Sequence, residues 1–210
     1  MAISTKKPPI KETVGALYYL FNTPDPESSD WTQTYEANVT KSNVVKSVSV
    51  TENGDSTNVY ASGTTYDTIS DVSSIDNEVE VVAIASADLY KMRGDTVGTN
   101  GLVLSGAPSD RPFFAYGKVV KLRGGNYRFE WYPKCKLTEN TDDISTKEES
   151  FSEQTDKVTI RAYPFDDAGN IKVMVDSTVG KLPEGLTEEK FFAKPILTDA
   201  DLKTAISGGE

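Results

Sequence analysis

Hydrophobic and polar residues alternate with a period of two over several stretches of this chain. In residues 43–51, Val44, Lys46, Val48 and Val50 point one way and Val45, Ser47 and Ser49 the other. Side chains alternate across a strand, so the pattern predicts a half-buried strand. Residues 57–62 read as the next strand, with Asn53-Gly54-Asp55 as the hairpin turn between them. Gly124-Gly125-Asn126 separates residues 113–122 from 127–137 as a second hairpin. There Tyr127, Phe129 and Trp131 oppose Arg128, Glu130 and Tyr132, which predicts one face on a core and one in water. A third hairpin is expected around 166–170, between residues 157–163 and 171–178.

One stretch follows a different period. From 75 to 92 the positions Val79, Val82, Ala83, Ser86, Leu89 and Tyr90 fall at helical spacing. Ser74 is placed to cap that helix, Asp76 and Glu78 to sit in its first turn, and Arg93-Gly94 to stop it. Residues 22–38 and 94–112, rich in Pro, Gly, Ser and Thr, read as long loops, which in a compact domain often contact partners. The tail holds at most two short helices, near 187–192 and 198–206. The expected architecture is mainly β: an antiparallel β-sandwich or barrel over 14–180, one flanking α-helix near 75–93, and long loops. Residues 1–13 and 181–210 are expected to be arms.

Composition narrows the chemistry. Among 210 residues there is no histidine, which removes histidine bases, histidine metal sites and the Ser-His-Asp arrangement. The single cysteine, Cys135, allows no intrachain disulfide and no paired-cysteine metal site; mid-strand, it reads as a small buried hydrophobe. The first residues are basic and lack the apolar run of a signal peptide, and the run 15–21 is too short to span a bilayer. A soluble chain folded in a reducing compartment is expected.

The net charge of −10 argues against a basic nucleic-acid binder, but the charge is unevenly placed. Residues 111–136 carry seven bases and one acid, between flanks of −8 each. Arg111, Lys118, Lys121, Arg123, Arg128 and Lys134 are either ordinary solvated strand residues or a basic face that meets acidic surface on another copy. Unlike surfaces meeting head to tail build rings or filaments. The acids Glu139, Asp142, Asp143, Glu148, Glu149 and Glu153 follow at once. Paired carboxylates suit a glycosidase or calcium, but the spacing matches neither, and a solvated acidic face is the plainer reading. Asp166 to Asn170 lacks the distal Glu of a calcium loop and reads as a turn. No catalytic constellation stands out, and no metal or cofactor is expected.

The run Arg111-Pro112-Phe113-Phe114-Ala115-Tyr116-Gly117, followed by Tyr127-Arg128-Phe129-Glu130-Trp131-Tyr132-Pro133-Lys134, resembles the major tail protein of long, non-contractile-tailed bacteriophages of Gram-positive bacteria. Thr146-Lys147-Glu148-Glu149 with Phe151 to Thr155, and Val59-Tyr60-Ala61-Ser62 upstream, extend the resemblance, although Ser62 stands where the family carries an acid. It covers about residues 14–179 and leaves the tail unmatched.

The resemblance implies a structural virion protein of a siphovirus tail and not an enzyme. Its copies would form rings, usually hexameric, that stack into a tube for genome ejection. Its partners would be itself, the tail terminator, the tape measure and the distal tail proteins, with double-stranded DNA passing unbound and no membrane involved. It would assemble in the host cytoplasm. A wide barrel built from many copies has a wet bore, and an acidic bore would repel passing DNA. The acids from Glu139 to Glu153 are therefore expected to face the bore and the six bases to face a neighbouring subunit. Two other classes remain: a stand-alone carbohydrate-binding or adhesive β-sandwich exposing Trp31, Trp131 or Tyr132, and a carboxylate enzyme.

Overall fold

A computed structural model describes residues 8–28, 30–106, 111–144, 146 and 154–207. In chain order its elements are β1 (Lys11–Phe21), β2 (Thr40–Ser42), β3 (Val45–Ala61), β4 (Thr64–Val81), α1 (Ser86–Arg93), β5 (Thr96–Val97) and β6 (Val103–Leu104). Then come β7 (Phe114–Leu122), β8 (Asn126–Asp142), β9 (Asp156–Ala162), β10 (Val173–Asp176), α2 (Glu188–Phe191) and α3 (Asp199–Ser207). The fold is mainly β and antiparallel. The large sheet runs β2-β1-β7-β8-β9-β4-β3, with β10 alongside β8, and β5-β6 make a separate small ladder.

The sheet curls until its ends meet. Thr40–Ser42 pairs with β1, and from Val45 onward the chain pairs with β4 at the opposite end of the strand order. Two intervening residues span only about 7–10 Å, so those ends must touch. Val82 N donates to Val44 O at the same place. Leu17, Tyr19, Phe21, Val79, Val81, Phe114, Tyr116, Tyr132 and Leu137 fill the enclosed space.

A second apolar layer lies outside. Ala16, Tyr18, Ala115, Val119, Phe129 and Trp131 form a patch covered by Phe191, Phe192 and Ile196 of the tail. Tyr18 stacks on Phe192 with ring centroids 3.9 Å apart, and Trp131 Nε1 donates to Phe191 O at 3.0 Å. The expected C-terminal arm is thus a packed cap. Its two helices fall where local signals place them. Thr187 caps α2 by accepting from Lys190 N. Thr198 and Asp201 exchange side-chain-to-backbone hydrogen bonds at the start of α3.

Several expected boundaries move. Residues 75–81 are strand rather than helix. Ile75, Asn77, Val79 and Val81 are buried in strict alternation with Asp76, Glu78 and Glu80. That period outweighs the helical spacing, and only Ser86–Arg93 is helical, stopped by left-handed Gly94 as expected. Asn53-Gly54-Asp55 is a register irregularity inside β3, not a turn. A Cβ on Gly54 would come within 2.1 Å of Asp71 O, so the backbone approach requires glycine. The chain turns instead at Ser62-Gly63, both with positive φ, as a tight hairpin demands. The Gly124-Gly125 hairpin forms as expected. The third hairpin does not: the 166–170 turn forms, but β10 pairs with β8 instead of β9. Pro133 divides β8, so that residues 128–131 face β10 and residues 135–142 face β9.

Nor does β8 have a wet face over its central residues. Phe129 and Trp131 lie under the cap, while Glu130 and Tyr132 point into the barrel. Deleting the ring of Phe192 should cost about 3–5 kcal/mol by leaving a cavity under the cap. Urea unfolding of Phe192→Ala should show that loss. Gly117→Ala should also destabilise, because its Cβ would sit 2.7 Å from the Phe192 ring.

Candidate functional site

Two features stand apart from ordinary packing: a polar cleft where the barrel opens, and a strand ribbon that leaves the body beside it. The cleft forms because β1 and β3, joined at one end through β2, splay at the other. It encloses about 440 Å³ and is walled by Val14, Val48, Val50, Val120 and Met174. Five bases line it, Lys11, Lys46, Lys118, Arg128 and Lys172, against two acids, Glu12 and Glu130.

At its floor lies a buried ion pair. Lys118 and Glu130 face each other across the β7–β8 register, with Nζ 3.3 Å from Oε2. Lys118 also donates to Asn77 Oδ1 at 2.9 Å and to the Tyr132 hydroxyl at 3.2 Å. That hydroxyl donates to Glu130 at 2.9 Å. Arg128 Nε lies 2.7 Å from the other carboxylate oxygen, though off the line for a hydrogen bond. Burial opposes ionisation of Glu130, but Lys118, Arg128 and the Tyr132 hydroxyl outweigh it and hold its carboxyl below the usual range. Burial pulls the Lys118 ammonium down; Glu130 offsets this only in part, and the like charges of Lys172 and Arg128 push the same way as burial. The hydroxyl of Tyr116 and the amide nitrogen of Asn77, both buried, have no protein hydrogen-bond partner.

The second feature is the β3–β4 ribbon. β9 stops pairing with β4 at Ile75, where Arg161 grips Asp76 through two bonds of 2.7 and 2.8 Å and Asn53 joins them. Beyond that clamp the two strands pair only with each other, out to Ala61↔Thr64. At about 3.3 Å per residue the ribbon reaches roughly 30 Å. Beyond its root the described side chains lie in solvent, including Tyr60 at 68% and Tyr66 at 78% exposure. It carries Asp55, Asp67 and Asp71 and no base.

The expected site residues scatter. Lys118 is buried in its own fold, a correction to its place on a subunit-facing surface. Arg128 is held to Glu130. Arg111 donates to the carbonyls of Leu137 and Thr138 at 2.6 and 2.9 Å. Lys134 lies over the Trp31 and Phe113 rings. Lys121 and Arg123 are exposed at the β7–β8 turn. The bases therefore form no single face. Glu139 and Asp142 at the far end of β8, and Asp143 just beyond it, are exposed. Asp142 sits opposite Asp156, whose carboxyl burial and Asp142 push up. Glu148, Glu149 and Glu153 lie outside the described residues. Trp131 and Tyr132 are fully buried and offer no aromatic platform. Cys135 is buried, its thiol pushed far up by that burial. Among the described residues no three carboxylate or cysteine side chains converge to hold a metal, and no helix is long and apolar enough to cross a membrane.

The Lys118–Glu130 pair had a signal in the sequence. Lys118 is the lone charge on the inward side of an otherwise apolar β7, Glu130 shares its side of β8 with Arg128, and a hairpin closing at Leu122↔Asn126 sets 118 opposite 130.

No family model and no curated relative matches the chain. Seven chains of solved structures do. One belongs to the six-fold-symmetrised cryo-EM structure of the anti-feeding prophage baseplate, with 11% identity and a TM-score of 0.40 over 81% of this chain and 97% of that one.

Lys118→Met should cost about 3–5 kcal/mol, because it removes one member of a buried pair. The double variant K118M/E130L should lose less than the two single losses combined, measured by urea unfolding in a double-mutant cycle. Glu130, with its lowered folded pKa, contributes stability above the ordinary glutamate value and loses it as pH falls through the folded value. The difference between wild type and Glu130→Gln should therefore shrink below about pH 4.3.

Proposed function

We propose that this protein is a structural subunit that assembles with copies of itself, and more narrowly a major tail tube protein of a siphovirus virion. The observation that carries this reading is the β3–β4 ribbon. An isolated two-stranded ribbon is marginal in water, and this one is solvated on both faces with β3 at the end of the sheet order. A long strand pair held rigid at its root and unsupported beyond it is suited to being completed by a neighbour. The resemblance over residues 111–163 supports the same class.

In this reading the chain is not an enzyme. Rings of copies, six by family resemblance, stack around a bore through which double-stranded DNA passes. Exposed Glu139, Asp142 and Asp143 are assigned to the bore, and Lys121 and Arg123 to contact with the next subunit. The β5–β6 ladder, with Val97, Leu102 and Leu104 more than half exposed, supplies a further contact between copies. Tail terminator, tape measure and distal tail proteins meet the ends of the tube, in the host cytoplasm first and then in the virion.

The test is assembly. Concentrated protein should form rings or tubes in negative-stain micrographs and sediment as large species. A variant that closes Ser56 to Ser70 with Asn-Gly, deleting the ribbon tip, should fold with a similar melting temperature and stay monomeric. A wild-type chain that remains monomeric at every concentration would overturn the reading.

A further inference from the structure

The ribbon and the cleft beside its root carry opposite charge. Directly opposed residues lie on one face of a ribbon, so Asp55 and Asp71, paired in register, share a face with Val59 and Asp67, the next such pair but one. That face holds three acids and an exposed valine. The other holds Ser56, Asn58, Thr68, Ser70 and Val72. The cleft presents the complement: five bases against two acids, set among valines. In a chain of net charge −10 such a positive recess is unusual, and low-dielectric walls focus its field.

Two details point to a carboxylate guest. Glu52, at the root of the ribbon, already places Oε1 3.3 Å from Lys172 Nζ, so the rim accepts a carboxylate in its own chain. Further out, Asp55 faces Asp71 directly, and like charges opposed across strands are destabilising. A cation inserted between them would remove that repulsion. The ribbon's own chain cannot supply one from the cleft, because a continuously paired ribbon does not turn back on its root.

We propose that the acidic face of the β3–β4 ribbon of one copy docks in the β1–β3 cleft of another, with Lys11 and Lys172 of the receiving copy facing Asp55 and Asp71. This rests on the self-assembly reading above and names the surface that receives the ribbon. The contact is head to tail, since donor and acceptor surfaces differ, and it therefore repeats from copy to copy.

The test is a charge exchange read by sedimentation and negative-stain microscopy. D55K/D71K and K11E/K172E should each raise the concentration needed for assembly at least tenfold, or about 1.4 kcal/mol. The quadruple variant D55K/D71K/K11E/K172E should recover most of that loss. In the isolated subunit, Asp71→Lys alone should raise the melting temperature by pairing with Asp55, while weakening assembly; a purely structural role would move both together. Should a lysine pair disturb the ribbon, D55N/D71N should still weaken assembly and flatten its salt dependence. Assembly by both double variants at the wild-type concentration would overturn this docking and leave the self-assembly reading intact. A quadruple variant no better than the worse double would overturn it too. Failure of the wild type to assemble would instead strike the reading on which it rests.

Discussion

The β7–β8 hairpin is buried on both faces, and each face is sealed by a different part of the chain. Tyr116 and Tyr132 look into the curled sheet, and Ala115, Val119, Phe129 and Trp131 lie under the tail. A two-stranded unit with no wet face over its central residues cannot exist alone, so it commits the chain to two further layers. The sheet must close to cover one face, which is why β2 and β3 sit on neighbouring residues at opposite ends of the strand order. The tail must dock to cover the other. Aromatic stacking of Tyr18 on Phe192 and the Trp131–Phe191 hydrogen bond anchor that second layer.

Closure is incomplete, and the polar cleft follows from that. Where β1 and β3 splay, the interior face of β7–β8 meets water, and its residues change from tyrosine and phenylalanine to Lys118 and Glu130. Replacing such a pair with apolar residues is often neutral or favourable, so its presence is a poor stabiliser. What it does provide is a defined floor: one carboxylate held between two cations and a tyrosine hydroxyl. The surplus of positive charge at the cleft arises because five bases line it against two acids, and one of those acids, Glu130, is shared by Lys118 and Arg128.

The ribbon is the opposite case, a part of the chain that gains little from its own fold. Its root is fixed by Arg161, Asp76 and Asn53, so its direction is set, while its outer half has only cross-strand bonds to hold it. Stability is low where burial is low. Exposed Tyr60 and Tyr66 and the opposed Asp55 and Asp71 are costs that a monomer bears without return, and the proposed contact with another copy would remove them. Fold and proposed function meet at this point: the body is complete in one chain, and the ribbon is not.

Local signals were enough for much of this. Gly124-Gly125 marked a hairpin, Gly94 a helix stop, Thr187 and Thr198 the starts of the tail helices, and the lone Cys135 a buried position. Each depends on a few neighbouring residues, so a linear reading reaches it. It failed wherever burial came from distant segments. Tyr132 and Glu130 read as a wet face because alternation marks a face only when the other face is in water, and nothing nearby announced that the sheet would close over them. Lys118 read as a surface base because charge is counted along a chain while direction is set across a sheet. The 181–210 segment read as an arm because its partner, the Tyr18 and Trp131 patch, lies far away in sequence. Antiparallel β structure and its turns were thus inherent in short-range chemistry. Which faces met water, and so where charge could act, was decided by closure and docking, which bring together residues that no local pattern links.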